Sequence, residues 1–125
     1  LGVESHEQKN HIPERGSIQY LLPILQIIEP MVLWCIKAKL VPRTQNIVTN
    51  TFHVDTYDIS EEKSKRWTTA IFYMNTNNGY TEFEDGTKVE SVANRMITFP
   101  TNLKHRGTSC TDEKTRVVIN FNYFR

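Results

Sequence analysis

The fold is decided by residues 67 to 99, which read WTTAIFYMNTNNGYTEFEDGTKVESVANRMITF. Short runs of β-branched and aromatic residues alternate here with two turn signals, Asn77-Asn78-Gly79 and Glu84-Asp85-Gly86. Asn, Asp and Gly accept the positive φ of tight turns, so each signal predicts a β-hairpin. The same pattern extends to both sides of this stretch. The predicted strands are Ile47 to His53, Trp67 to Asn75, Tyr80 to Phe83, Lys88 to Val92, Arg95 to Phe99, Leu103 to Thr108 and Arg116 to Phe124.

The first third of the chain adds a helix and one more strand. Apolar residues recur at spacings of three and four from Ser17 to Ile28, which predicts a helix that Pro23 shortens or breaks. We expect it to cover one face of a sheet. Met31 to Val41 alternates at its end and predicts a strand. One short N-terminal helix followed by many short strands favours a mainly β, double-sheet jelly roll.

Length and composition limit the organisation and the partners. A chain of 125 residues fits one domain, which we place at residues 17–125 after a polar, flexible N-terminal arm at residues 1–16. A formal net charge of +1 gives no general attraction to nucleic acid or to an anionic membrane. Cys35 and Cys110 form no CxxC motif, and no run resembles a membrane span or a signal peptide. We therefore expect a protein of the cytoplasm.

Three residues are candidates for one metal site. In His53-Val54-Asp55 the residues at i and i+2 face the same side of an extended segment, so an imidazole and a carboxylate can converge on one ion. The tripeptide alone also fits a surface histidine beside a turn aspartate. His105, at the predicted start of a late strand, would complete two histidines and a carboxylate on one face of a metal. Its alternative is a partly exposed histidine near a basic loop.

Arg116 is a candidate for binding an anion. It opens an apolar strand, and an unpaired guanidinium in a core is very costly. The two-pronged carboxylate of a small diacid would satisfy it. The alternative is a strand-end arginine that reaches solvent or pairs with Glu113.

Taken together, these motifs resemble the 2-oxoglutarate and Fe(II)-dependent oxygenases. The HxD motif, the distal histidine and the arginine follow in that family's order, and the resemblance covers about residues 32 to 124. It is strongest to the prolyl hydroxylase branch, with its small viral and bacterial members. The resemblance implies a cupin-like double-stranded β-helix in which His53, Asp55 and His105 hold the iron. Arg116 would anchor the distal carboxylate of 2-oxoglutarate, and Tyr73 would support it or serve as a core aromatic.

The same resemblance implies the reaction. Its cofactors would be Fe(II), 2-oxoglutarate and O2, with ascorbate as an optional addition, and the substrate would be a prolyl residue in a peptide or protein. The alternatives are the same chemistry on a free amino acid, a small metabolite or a nucleic-acid base, or a non-catalytic metal-binding jelly roll. If the protein belongs to the viral members, its setting would be the host cytoplasm.

Two features near the site bear on the substrate. Lys37, Lys39 and Arg43 are interpreted as a solvated strand face, which argues against a nucleic-acid groove. Leu40-Val41-Pro42-Arg43 lacks the tyrosine that prolyl hydroxylases often carry before the HxD motif, so the substrate class stays open. For the histidines we expect Asn120 or Asn122 as hydrogen-bond partners.

Overall fold

A computed structural model describes residues 2–5, 19–55 and 60–124, which form two β-sheets, a covering helix and a short second helix. In chain order the elements are β1 (Gly2–Ser5), α1 (Leu22–Ile28), β2 (Val32–Pro42), α2 (Glu61–Ser64), β3 (Trp67–Tyr73), β4 (Tyr80–Phe83), β5 (Lys88–Glu90), β6 (Met96–Pro100), β7 (His105–Gly107) and β8 (Thr115–Phe124). The larger sheet has the order β1-β2-β8-β3-β6 and the smaller has the order β5-β4-β7. Among the described residues, all strand pairings are antiparallel except that of β1 with β2. The mainly β jelly-roll prediction is confirmed.

The outer face of the larger sheet packs against α1. Ile36 of β2, Ala70 of β3 and Phe121 of β8 are buried there together with Ile28, the last residue of the helix. Pro23 lies in the first turn of α1, where its missing N–H leaves no helical hydrogen bond unmade. The short helix over one sheet face is therefore confirmed for Leu22–Ile28. Ser17 and Ile18, the start of the predicted helix, lie outside the described residues.

A second apolar cluster lies on the inner face. Phe83 of β4 meets Phe99 of β6 edge to face, with ring centroids 5.0 Å apart. Ile71, Tyr73 and Val118 of the larger sheet complete the cluster. This packing holds the two sheets together and leaves the adjoining part of the inner face to polar side chains.

The structure corrects two predictions about turns and strands. Glu84-Asp85-Gly86 does form the β4–β5 hairpin, with Gly86 at φ 91°. Asn77-Asn78-Gly79 does not form a hairpin, because β3 and β4 belong to different sheets and the turn carries the chain from one to the other. Ile47 to His53 is not a regular strand either. It makes isolated bridges at Thr49 and His53, since the side chain of Ser109 binds the amide of Val48 in place of a continuous ladder.

The N-terminal residues join the sheet in part. Gly2–Ser5 pairs in parallel with Cys35–Ala38 and extends the sheet beyond β2, so these four residues are not part of a loose arm. The unpaired edge of β2 offers backbone groups that a parallel strand can satisfy. Residues 6–16 of the predicted arm lie outside the described residues, and the division of the chain at residue 17 stays a prediction.

Candidate metal centre

His53 and His105 face each other across an isolated antiparallel bridge. The amide of His53 donates to the carbonyl of His105 at 2.9 Å, and the amide of His105 donates back to His53 at 3.0 Å. Side chains of directly opposed residues project to the same side of a ladder. The two rings consequently lie together, with centroids 4.7 Å apart, although one residue belongs to a loop and the other begins β7.

Backbone carbonyls orient both imidazoles. Nδ1 of His53 lies 3.0 Å from the carbonyl oxygen of Thr51, and Nδ1 of His105 lies 3.1 Å from that of Leu103. A carbonyl only accepts, so each Nδ1 carries the hydrogen and each Nε2 keeps its lone pair for a metal. The expectation that Asn120 or Asn122 would orient the rings is wrong, because the carbonyls two residues upstream already do so.

Asp55 completes the cluster. Its Oδ1 lies 3.3 Å from Nε2 of His53 and 3.5 Å from Nε2 of His105. Adjacent ligands of an octahedral ion at about 2.1 Å would be about 3 Å apart, so the spacing suits a metal. The buried Asp55 Oδ2 and His105 Nε2 have no hydrogen-bond partner. The three predicted residues thus meet in one cluster whose open donor atoms fit a divalent cation.

The electrostatics of the cluster favour an ionised carboxylate. Burial of Asp55 opposes ionisation, but its polar contacts with His105 and His53 outweigh this and hold the pKa of Asp55 below its usual range. The contact with Asp55 raises the pKa of His53 against the opposing effect of burial. Two imidazoles and one ionised carboxylate form a ligand set that binds divalent transition metals.

A narrow cleft connects the histidines to Arg116. We call it the inner cleft, and its polar lining includes Lys39, His53, Thr81, His105, Arg116 and Asn120. No acidic side chain of the described residues lines it. A ligand in this cleft can therefore reach the metal site at one end and a guanidinium at the other.

Arg116 is buried without a carboxylate partner among the described residues. It is 3% exposed, its Nε donates to Ser91 Oγ at 2.9 Å, and Nη2 lies 3.4 Å from Thr81 Oγ1. Burial lowers the pKa of Arg116. Neither alternative, a pair with Glu113 or a position in solvent, describes this side chain. A buried cation held only by hydroxyls is suited to an anionic ligand.

Tyr73 lies next to this arginine but does not itself line the inner cleft. It is fully buried, its ring centroid lies 5.8 Å from the Arg116 guanidinium carbon, and its hydroxyl donates to Thr81 Oγ1 at 2.7 Å. Burial raises the pKa of Tyr73. Of the two residues joined by this hydrogen bond, Thr81 lines the inner cleft. A direct contact between Tyr73 and a ligand remains a prediction.

Several side chains of the site were missed in the sequence. Thr81 and Ser91 carry no motif, and Lys39 was interpreted as part of a solvated strand face although it lines the inner cleft. Gly79 did give a signal but was assigned to a hairpin. A Cβ there would lie 2.5 Å from Arg116 Cδ and 2.7 Å from the Ser109 carbonyl oxygen, so glycine is needed for the arginine to pass.

A second cleft also borders His53. We call it the outer cleft, and its lining includes Trp34, Lys37, Lys39, Asp55, Asn120 and Asn122. It shares His53, Lys39 and Asn120 with the inner cleft. The candidate metal centre therefore opens onto two spaces.

The jelly roll and its two-histidine, one-carboxylate cluster define a class of metal-binding double-stranded β-helix proteins. A family model described as 2OG-Fe(II) oxygenase superfamily matches residues 44–124, and the chain belongs to that family. The resemblance stated from the motifs is confirmed. Membership implies Fe(II), 2-oxoglutarate and O2 as the cofactors of a dioxygenase.

Solved structures support the same fold. A cupin protein from Bacteroides fragilis is 10% identical with a TM-score of 0.51, over 71% of this chain and 64% of that one. A prolyl-4-hydroxylase from Pseudomonas putida is 19% identical with a TM-score of 0.50, over 87% of this chain and 63% of that one. The chain thus spans under two thirds of the length of either protein, and at these identities the likeness concerns the fold. No curated protein sequence matches this chain.

No helix of the described residues combines the length and the apolar character that crossing a membrane requires.

Proposed function

We propose that the protein is an Fe(II)- and 2-oxoglutarate-dependent dioxygenase that hydroxylates a prolyl residue in a peptide or protein. The observation that carries the proposal is the pairing of two incomplete sites in one cleft. At one end is the unpartnered Nε2 of His105, which lies next to the likewise unpartnered carboxylate of Asp55, and at the other end is Arg116, buried without a carboxylate among the described residues. A metal and a dicarboxylate would complete both.

His53, Asp55 and His105 would hold the iron. With both Nδ1 atoms bound to carbonyls, the Nε2 atoms are directed toward Asp55, so binding a metal among these three residues would require little reorientation of the rings. The ionised Asp55 offsets part of the metal's charge. Three protein ligands on one face leave the remaining coordination positions open. When bound, iron with 2-oxoglutarate and O2 supplies the oxidising power for inserting one oxygen atom into a C–H bond.

Arg116 would anchor the distal carboxylate of 2-oxoglutarate. Ser91 fixes its Nε and Gly79 leaves room for its side chain, so the guanidinium is held in place before the ligand arrives. Thr81 Oγ1 accepts from Tyr73 and can donate its own hydrogen to the same carboxylate. Holding the dianion at this end directs its other end toward the metal.

The prolyl substrate is supported by the likeness of the motifs to the prolyl hydroxylase branch. The fold shared with the Pseudomonas putida prolyl-4-hydroxylase agrees with it. We include ascorbate as an optional reductant that would keep the iron ferrous. A free amino acid that presents the same kind of C–H bond would use the same site.

The test is turnover on a panel of proline-containing peptides, free amino acids and small metabolites, with Fe(II) and 2-oxoglutarate supplied. We expect succinate and a substrate mass gain of one oxygen atom with a prolyl peptide. The Asp55→Ala variant is the control for reaction at the iron. Binding of Fe(II) and 2-oxoglutarate without turnover of any peptide would contradict the prolyl assignment, and failure to bind either would contradict the oxygenase itself.

A further inference from the structure

The outer cleft carries positive charge next to the candidate metal centre. Lys37 and Lys39 stand two residues apart on β2, so they point to the same face of the larger sheet. That face is the inner one, because Lys37 pairs with Asn120 and both line the outer cleft. The interpretation of these lysines as a solvated strand face is therefore wrong.

Among the described residues, Lys39 has Asp55 as its one negative neighbour, and Asp55 is a proposed metal ligand. Burial lowers the pKa of Lys39, while the charge of Asp55 opposes this effect. Asp55 is the single acidic side chain of the described residues that lines the outer cleft. If Asp55 binds a divalent cation, its charge is more than neutralised. The dianion 2-oxoglutarate would balance Arg116 and the remaining charge of the metal with Asp55. The charge of Lys39 is then left over, and a further anion in the outer cleft would compensate it.

Asn120 has a buried side-chain oxygen that needs a hydrogen-bond donor. It is 4% exposed, lines both clefts, and its Oδ1 is buried without a donor. A buried amide oxygen without a partner is costly. The cosubstrate cannot supply the donor, because ionised 2-oxoglutarate and O2 contain acceptors only. No described residue supplies this donor, and water or a molecule bound in the cleft would do so.

We propose that the outer cleft binds a substrate segment of amino-acid character that presents a carboxylate to Lys39 and an N–H group to Asn120. The carboxylate is either an acidic side chain next to the oxidised residue or a free α-carboxylate. The inference rests on the proposed function for the reaction at the iron, and it names the class of substrate.

The test uses three fluorescent peptides of equal length with a proline near the label. One has glutamates beside the proline and blocked ends, the second has glutamines in their place, and the third is the glutamine peptide ending at the proline with a free carboxylate. Affinity is measured by fluorescence anisotropy on protein loaded with Mn(II) and 2-oxoglutarate under nitrogen, so that no turnover is needed. We expect at least one carboxylate peptide to bind about fivefold more tightly than the neutral one.

Variants assign the preference to Lys39. Lys39→Gln should abolish it, whereas Lys88→Gln, which removes an exposed lysine of β5 that lines neither cleft, should retain it. In the unchanged protein the preference should shrink as salt is raised, which provides a check that does not depend on the folding of a variant. The difference between the two carboxylate peptides tells which source of the carboxylate is bound.

Three outcomes would overturn the inference. One is an equal affinity for all three peptides, and another is a Lys39→Gln variant that loses affinity for 2-oxoglutarate but keeps the peptide preference. The third is a single-stranded oligonucleotide that binds more tightly than every peptide and depends on Lys39. Hydroxylation of proline without a carboxylate preference would contradict this inference alone. A Lys39-dependent preference without hydroxylation would contradict only the prolyl assignment.

Discussion

Asp55 is the residue on which the charge of the metal centre depends. Its carboxylate is largely buried, at 11% side-chain exposure, and its Oδ2 has no partner. Because this buried oxygen is unsatisfied without a metal, the arrangement favours metal binding. We expect Asp55→Ala to lower Fe(II) affinity more than about 100-fold, since even changes to residues that only orient ligands cost 10- to 100-fold.

Folding should survive this change, because the truncation removes a desolvated charge and not a core contact. Isothermal titration with Fe(II) under nitrogen and urea unfolding of the metal-free variant measure the two effects separately. Unaltered iron affinity, or succinate production at the original rate, would exclude Asp55 as a ligand.

Arg116 is the residue expected to select the dicarboxylate. Arg116→Lys keeps one positive charge but loses the planar fork, so the affinity for 2-oxoglutarate should fall more than tenfold while metal affinity stays nearly constant. Arg116→Ala should bind it more weakly still. Titration of 2-oxoglutarate with the metal saturating measures this effect. The opposite pattern, with iron lost and 2-oxoglutarate retained, would identify Arg116 as a structural strand residue.

Gly79 makes the position of Arg116 possible. Gly79→Ala would place a methyl carbon against Arg116 Cδ and the Ser109 carbonyl, so we expect both lower stability and weaker 2-oxoglutarate binding. Gly86→Ala is the matched control. It places alanine at φ 91° with no atom of another residue within 4 Å, so it should reduce stability through backbone strain without changing 2-oxoglutarate affinity. Equal effects of the two variants on that affinity would contradict the role given to Gly79.

The sequence predicted the residues that carry a motif and missed the residues that only surround them. His53, Asp55 and His105 could be found because spacing on an extended segment and the order of ligands restrict where a metal site can form. Lys39 was assigned to solvent because alternation along a strand tells which residues share a face, but not which face is inside. Asn120 was expected near the histidines, yet its unpartnered oxygen becomes visible only when β2 and β8 are paired.

At the level of elements, two similar turn signals have different outcomes. Glu84-Asp85-Gly86 closes a hairpin within one sheet, where Gly86 supplies the positive φ. The side-chain oxygen of Asn77 instead accepts a hydrogen bond from the amide of Gly79. The side-chain amide of Asn78 donates to the hydroxyl of Thr111, which lies between β7 and β8. Local sequence specifies that the chain turns, whereas the sheet that receives the next strand is decided by distant pairing, here that of β4 with β7.

The hairpin turn provides a prediction of pH dependence. The amide of Thr87 donates to Asp85 Oδ1 at 2.8 Å, and this bond lowers the pKa of Asp85 from its ordinary 3.8. A carboxyl with a lowered folded-state pKa stabilises the fold above its unfolded pKa, and the stabilisation is lost as the pH falls through the folded value. Asp85→Ala should therefore be less stable than the unchanged protein at pH 7, with the difference shrinking below about pH 4.

Urea midpoints of the two proteins across this pH range measure the effect. Glu84→Ala, which truncates the neighbouring exposed carboxylate, is the control and should show no such convergence. A constant difference between Asp85→Ala and the unchanged protein at every pH would mean that the turn does not depend on the ionised carboxylate.

At the scale of the whole molecule, the residues proposed to hold the metal and 2-oxoglutarate come from both sheets. His105 begins β7 of the smaller sheet, whereas Arg116 lies on β8 of the larger one, and the inner cleft runs between them. His53 is joined to β7 by its backbone bridge. A metal held by the histidines and a dianion held by Arg116 would therefore link the two sheets through the bound ligands, in addition to the apolar cluster around Phe83 and Phe99.

This arrangement predicts ordered effects of ligands on thermal stability. A ligand at 100 times its Kd adds about 2.7 kcal/mol of stability, which corresponds to several degrees in Tm for a domain of this size. Mn(II) alone should raise Tm, and 2-oxoglutarate should add a further increase only when the metal is present, because it then bridges both ends of the cleft. Succinate lacks the keto group next to a carboxylate that chelates the metal, so it should add less. Arg116→Lys should retain the increase from Mn(II) and lose most of that from 2-oxoglutarate. A 2-oxoglutarate effect of equal size without metal, or one that survives in Arg116→Lys, would mean that the dianion does not span the two sheets.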